Sequence, residues 1–176
     1  MLTATSDAAF AKCPLFRGMS TPERQELLAL LETKSYSPGE TILAEGESFQ
    51  FVWIVLKGRC QVVKNGKSGA EKELAILEPC GVFGEMSFFH PAPHSASVRA
   101  LSAVEVVRLA REKYDQLLRG GSLAAYKLAY NTMEVLIERL RNMDDWIAER
   151  MERNNAPNHH EEWMDFQSKL YTGWTF

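Results

Sequence analysis

Between Thr33 and Leu109 the sequence breaks into short apolar or alternating runs separated by Gly, Pro and Asn, and this succession constrains the fold more than anything else in the chain. The runs predict strands at Thr41–Ala44, Phe51–Leu56, Cys60–Lys64, Lys72–Leu77, Ser95–Ala100 and Val104–Leu109, with a tight hairpin turn at Lys57-Gly58. Strands recurring about every ten residues point to an antiparallel barrel or jelly roll rather than a parallel sheet with crossover helices.

Helical patterns flank this region. Ser20-Thr-Pro-Glu23 has the form of a capping box with Pro22 in the first turn, and Leu27, Leu28 and Leu31 follow as an apolar face. After the strands, Arg111 opens a short helix to Leu118, Gly120-Gly121 breaks it, and Ser122 caps a long helix reaching about Arg153. Along that helix Tyr126, Tyr130, Met133, Ile137 and Leu140 recur at alternating steps of four and three. The seam resumes at Ile147 and Met151 after a polar step at Asp144, and Leu136 and Met143 widen it. Such a stripe is either one helix lying on its own barrel or the seam of a two-helix dimer, and its length favours the dimer. Beyond it, Trp163, Phe166, Tyr171, Trp174 and Phe176 make an aromatic-rich tail that is expected to be covered.

With 176 residues, 45% hydrophobic and 24% charged, the chain has ordinary globular composition and one domain's length. Its longest wholly apolar run, Phe51 to Leu56, is far short of the roughly 20 residues a membrane span needs. A net charge of -3 supplies no global cationic field for nucleic acid or acidic lipid. The first residues lack the positive start and apolar core of a secretory signal, so a cytoplasmic location is expected. Cys13, Cys60 and Cys80 are odd in number, far apart and without a Cys-x-x-Cys, which predicts structural thiols and neither a disulfide framework nor a metal cluster.

The segment from Phe83 to Val98 carries the chemistry. A glycine followed by a carboxylate and a short helix places free backbone N–H groups beside an acceptor, an arrangement suited to a ligand with both an anion and a hydroxyl, such as a phosphorylated sugar. The surrounding motifs, in order, are Leu15-Phe16 before Met19-Ser20, Pro38-Gly39-Glu40 with Ile42, Glu45-Gly46, Gly58, Gly81, Phe83-Gly84-Glu85, and then Ala96, Val98 and Ala100. In this order and spacing, over about residues 14–140, the sequence resembles the cyclic-nucleotide-binding domain of catabolite-activator-type bacterial regulators and of the regulatory subunit of cAMP-dependent kinase. The resemblance implies a mainly β fold with flanking helices: an eight-stranded antiparallel β-roll, jelly-roll-like, with N-terminal helices and a long C-terminal helix that lids the pocket and pairs subunits. Residues 1–153 would form this domain, with the roll over 33–109 and the long helix over 122–153, leaving 154–176 as the tail.

By the same resemblance, the phosphate-binding cassette spans Phe83 to Ala96, and the candidate ligand-binding residues are Phe83, Gly84, Glu85, Met86, Ser87, His94, Ser95 and Ala96. Glu85 matches the carboxylate that accepts from a ribose 2′-hydroxyl, and Gly84 the adjacent backbone contact. One position departs: His94 stands where the family has its phosphate-binding arginine. Arginine offers a permanent charge and a two-pronged fork, whereas an ordinary histidine is only about 10–20% protonated near neutral pH. Arg99 is no replacement, because Ala96, Val98 and Ala100 take the inward positions of its strand.

No helix-turn-helix domain is expected, because only 154–176 follow the long helix, and the charge-mixed run Glu138–Arg153 reads as a solvated face rather than a DNA-binding stripe. His90 and His94, four apart, and His159-His160 do not make the His-x-His set of a cupin-like metalloenzyme. With no nucleophile elbow, P-loop or kinase motif either, neither a catalytic nor a metal site is expected. The sequence therefore reads as a non-enzymatic, stand-alone sensor or adaptor that homodimerises through the long helix and acts on another protein. A cyclic nucleotide is the candidate ligand, and a degenerate, ligand-free interaction module is the alternative.

Overall fold

The computed structural model describes residues 10–66 and 69–154, with side chains to residue 149. A 3-10 turn η1 (Pro14–Phe16) and helix α1 (Thr21–Leu28) precede eight strands: β1 (Glu32–Tyr36), β2 (Thr41–Leu43), β3 (Phe51–Lys57), β4 (Cys60–Asn65), β5 (Glu71–Leu77), β6 (Val82–Phe83), β7 (Ser97–Ala100) and β8 (Val104–Ala110). Helix α2 (Glu85–Phe89) lies between β6 and β7, and α3 (Arg111–Arg119) and α4 (Leu123–Asn154) follow β8. The strands form two four-stranded sheets in the orders β1-β8-β3-β6 and β2-β7-β4-β5, with every pairing antiparallel. This is the eight-stranded roll with flanking helices that the resemblance implies.

Alternation explains how the roll closes. Trp53, Val55, Phe83, Val104 and Val106 from the first sheet meet Ile42, Leu43, Cys60, Val98 and Ala100 from the second in one buried cluster, the interior of the roll. The intervening residues Val52, Ile54, Val82, Val107 and Leu109 are buried as well, so β3, β6 and β8 carry apolar residues on both faces of the first sheet. Buried Leu15, Phe16, Leu27, Tyr114, Ala124, Ala125 and Leu128 on the helices supply the matching apolar surface.

Pattern reading located six of the eight strands. It passed over β1, whose Glu-Thr-Lys-Ser-Tyr sequence has an exposed centre, and β6, which is only two residues long. At the hairpin, β3 runs on through Lys57, so the turn falls at Gly58-Arg59. The capping box forms, the Ser20 N–H donating to Glu23 at 2.6 Å. Leu27 is the buried position of α1, while Leu31 lies past its end.

The cysteine expectation is corrected. Cys13 and Cys80 form a disulfide, 67 residues apart in sequence but with Cα atoms 4.9 Å apart, and Cys60 is the buried free thiol. Sequence separation was the wrong guide, because the turn between β5 and β6 returns to the N-terminal segment.

The chain divides into two compact units, with the boundary between Met133 and Glu134 inside α4. In the first unit, buried Asn131 donates to the carbonyls of Leu15 and Arg17, both at 2.9 Å, and Thr132 donates to Leu128 at 2.7 Å. The aromatic tail, His159-His160 and the side chain of Met151 lie outside the described residues. No described helix is long and apolar enough to cross a membrane.

Candidate functional site

The cassette begins where β6 ends. Phe83 pairs with Trp53 on β3, and their rings stack at 5.7 Å with 5° between planes. Gly84 then turns the chain with φ +77, and a Cβ there would meet the Phe51 carbonyl at 2.7 Å and Trp53 Cδ1 at 2.8 Å. Only glycine satisfies both the left-handed backbone and this space. Glu85 follows as the first residue of α2 and is 3% exposed; Ser87 and Phe88 are buried beside it, and Met86 faces outward at 59% exposure.

One further residue fixes the far end of α2, and sequence reading missed it. Arg111 donates through Nη1 to the Phe88 carbonyl at 2.8 Å and through Nε to Asp115 at 2.7 Å, and its guanidinium lies 5.6–5.9 Å from the rings of Phe88, Phe89 and Tyr114. Carbonyls at a helix C-terminus lack intrahelical donors, and this cation supplies one. Its own N–H donates to Gln50 at 3.0 Å, so a single residue joins the cassette helix, the β2–β3 loop and α3. Its pair with Asp115 is local, four residues along α3, but the Phe88 and Gln50 carbonyls that make Arg111 a junction are distant in the chain and leave no signal in the sequence. Ser97 was missed likewise: its hydroxyl accepts from the Glu45 N–H at 2.9 Å.

The second half of the cassette is organised around His94, which is 5% exposed. Its backbone N–H donates to Glu47 at 2.8 Å, its carbonyl accepts from Gly46 at 2.9 Å, and its Nε2 accepts from the Phe49 N–H at 3.4 Å. Accepting at Nε2 leaves the neutral ring's proton on Nδ1. Burial holds the imidazole below its ordinary value of 6.5, with the Glu47 carboxylate pulling weakly the other way. His94 is thus a neutral clamp on the β2–β3 loop. Ser95 is exposed and Ala96 half-buried.

Arg99 points away from the interior, as its strand position predicts. Its guanidinium is held by Glu71 in a two-pronged pair at 2.6 and 2.7 Å, while neighbouring Val98 and Ala100 belong to the interior cluster. His90 is exposed and His94 buried, and among the described residues no three His, Cys, Asp or Glu side chains gather as a metal site. A cleft of about 420 Å³, lined in part by Ser35, Tyr36, Lys57 and Glu105, contains no cassette residue.

Residues 33–121, just over half of the chain, match the cyclic nucleotide-binding domain family. The protein belongs to that family. Similar proteins include the cyclic AMP receptor protein of Thermus thermophilus, 34% identical over 131 residues, which cover 74% of this chain and 59% of that protein. The cAMP-dependent protein kinase regulatory subunit of Mycosarcoma maydis is 34% identical over 96 residues, or 54% of this chain and 18% of that one. Among solved structures, the Thermus thermophilus catabolite activator protein superposes with a TM-score of 0.70 at 30% identity, covering 78% of this chain and 63% of its own. This cyclic nucleotide-binding domain protein therefore spans about three fifths of the length of the first curated relatives it matches.

Proposed function

We propose that this protein is a regulatory, non-enzymatic module whose cassette keeps a ribose-directed carboxylate, Glu85, but offers no cationic fork to a phosphate, and whose output passes through protein contacts of an α4-paired homodimer. The observation that carries this reading is the state of His94. It occupies the arginine's place in the cassette, yet it is buried, accepts from the Phe49 amide and is neutral near pH 7. A buried anion deprived of its charged partner loses roughly 3–5 kcal/mol, or about 10²–10³-fold or more in affinity. In this reading Glu85 and Gly84 keep the sugar contacts that the family resemblance assigns to their positions.

Pairing through α4 is supported by its apolar stripe. Tyr126, Tyr130, Met133, Ile137 and Leu140 are all at least 44% exposed in the single chain, and their heptad-like spacing suits a second helix.

Calorimetry with cAMP and with cGMP tests the ligand reading. Wild type is expected to give no saturable heat at tens of micromolar at neutral pH, and His94→Arg, shown to be folded, is expected to recover binding in part. Tight, pH-independent cAMP binding by wild type overturns it. A second reading, a ligand-free interaction module, is favoured by the buried Trp53 ring stacked on Phe83 directly beneath Gly84, where native side chains occupy the cassette's floor. Silence in both proteins supports that second reading.

A further inference from the structure

The disulfide between Cys13 and Cys80 joins two segments with different attachments. Cys80 has φ +71 and is the non-glycine residue with positive φ among the described residues, a conformation that disfavours any side chain bearing a Cβ. Gly81 beside it is needed for space, since a Cβ there would meet the Glu78 carbonyl at 2.8 Å. A cysteine therefore fills the turn position that glycine would adopt without cost, and what it adds there is its sulfur.

From Cys80 the chain leads into the cassette. The Cys80 N–H donates to Val55 at 2.8 Å and the Val55 N–H to Gly81 at 2.9 Å, after which β6 runs to Gly84 and Glu85. From Cys13 it leads to α4: η1 begins at the next residue, the carbonyls of Leu15 and Arg17 accept from Asn131, and that of Gly18 accepts from Lys127 at 3.0 Å. The N-terminal segment is thus gripped by α4 on one side and, through one covalent bond, by the cassette turn on the other.

We propose that Cys13 and Cys80 form a thiol–disulfide switch, in which oxidation by a low-molecular-weight disulfide of the glutathione class locks η1 to the cassette turn and reduction leaves η1 held by its non-covalent contacts, those to α4 among them. Cys80 is half-buried and Cys13 is 2% exposed, so exchange starts at Cys80. Its thiolate attacks one sulfur of glutathione disulfide and expels a glutathione thiolate. The Cys13 thiolate then attacks the Cys80 sulfur, closing the bond and expelling the second glutathione, and the two cysteine protons finish on the two glutathione thiols. Cys60 takes no part, because it is buried in the roll and burial pushes its thiol up to about 11.

The full chain, poised with oxidised or reduced glutathione and then denatured and alkylated, gives the first readout. One alkylated cysteine, Cys60, is expected after oxidation, and all three after reduction. Amide hydrogen exchange gives the second: peptides over residues 10–19 and 82–89 should exchange about tenfold more slowly in the oxidised protein, and Cys80→Ser should match reduced wild type under both conditions. Three alkylated cysteines after oxidation, or equal exchange in the two thiol states with the bond formed, overturns the proposal. The comparison of oxidised with reduced wild type decides it even where Cys80→Ser fails to fold.

Discussion

The backbone N–H of Phe49 donates to Nε2 of His94 across 3.4 Å, so a cassette side chain serves as the anchor of a loop 45 residues away in sequence. His94→Ala leaves that partly buried amide without its acceptor, which costs about 0.5–1.5 kcal/mol. Chemical denaturation should register this loss, and His94→Gln, whose side-chain carbonyl can still accept, should lose less. Equal stability of wild type and His94→Ala would remove the clamp.

The same burial makes stability depend on pH. Because the folded His94 lies below its ordinary 6.5, the unfolded chain takes up a proton before the folded one does. Its contribution is therefore fully present above about pH 6.5 and declines as pH falls from there through the folded value, with Glu47 softening the decline. Urea unfolding at pH 7.5 and 5.5 should show a larger acid-side loss for wild type than for His94→Gln. Identical losses would contradict a desolvated imidazole.

Gly84→Ala combines a left-handed backbone, φ +77, with contacts of 2.7 and 2.8 Å to Phe51 and Trp53. Strain of this kind costs of order 1–3 kcal/mol, and the turn leading to Glu85 should shift with it. A lowered melting temperature accompanied by altered Trp53 fluorescence is the expected signature.

Ile137→Asp combined with Leu140→Asp puts two charges into the proposed seam of α4, where both residues are exposed in the single chain. Sedimentation should then report monomers from a double variant whose melting temperature stays close to wild type. Unchanged sedimentation would place the pairing surface elsewhere.

Much of the fold was legible because the roll buries alternate residues: Val98 and Ala100 inward with Arg99 outward could be read directly from β7. The capping box of α1 was legible because it is local, Ser20 and Glu23 lying three residues apart. What stayed hidden depends on distance. β1 is polar in its centre and is a strand only because β8 pairs with it, and the Cys13–Cys80 bond depends on a returning turn. Within the site, the sequence identified His94 as the position that differs from the family, but what the side chain does there emerged only with Phe49, Glu47 and Gly46 around it. Arg111 was invisible because backbone carbonyls leave no residue-type signature.

The place of β1 at the margin of its sheet also sets an order of events when the chain is made. Among the described residues its one strand partner is β8, with Ser35 opposite Glu105, so about 70 residues must be added before the pairing exists. At synthesis rates of about 5–20 residues per second, β1 waits for roughly 4–14 seconds. An apolar strand left open that long would invite pairing with a neighbouring nascent chain. Thr33, Lys34 and Ser35 make the waiting segment hydrophilic, so the polarity that hides β1 from pattern reading also protects it during biosynthesis.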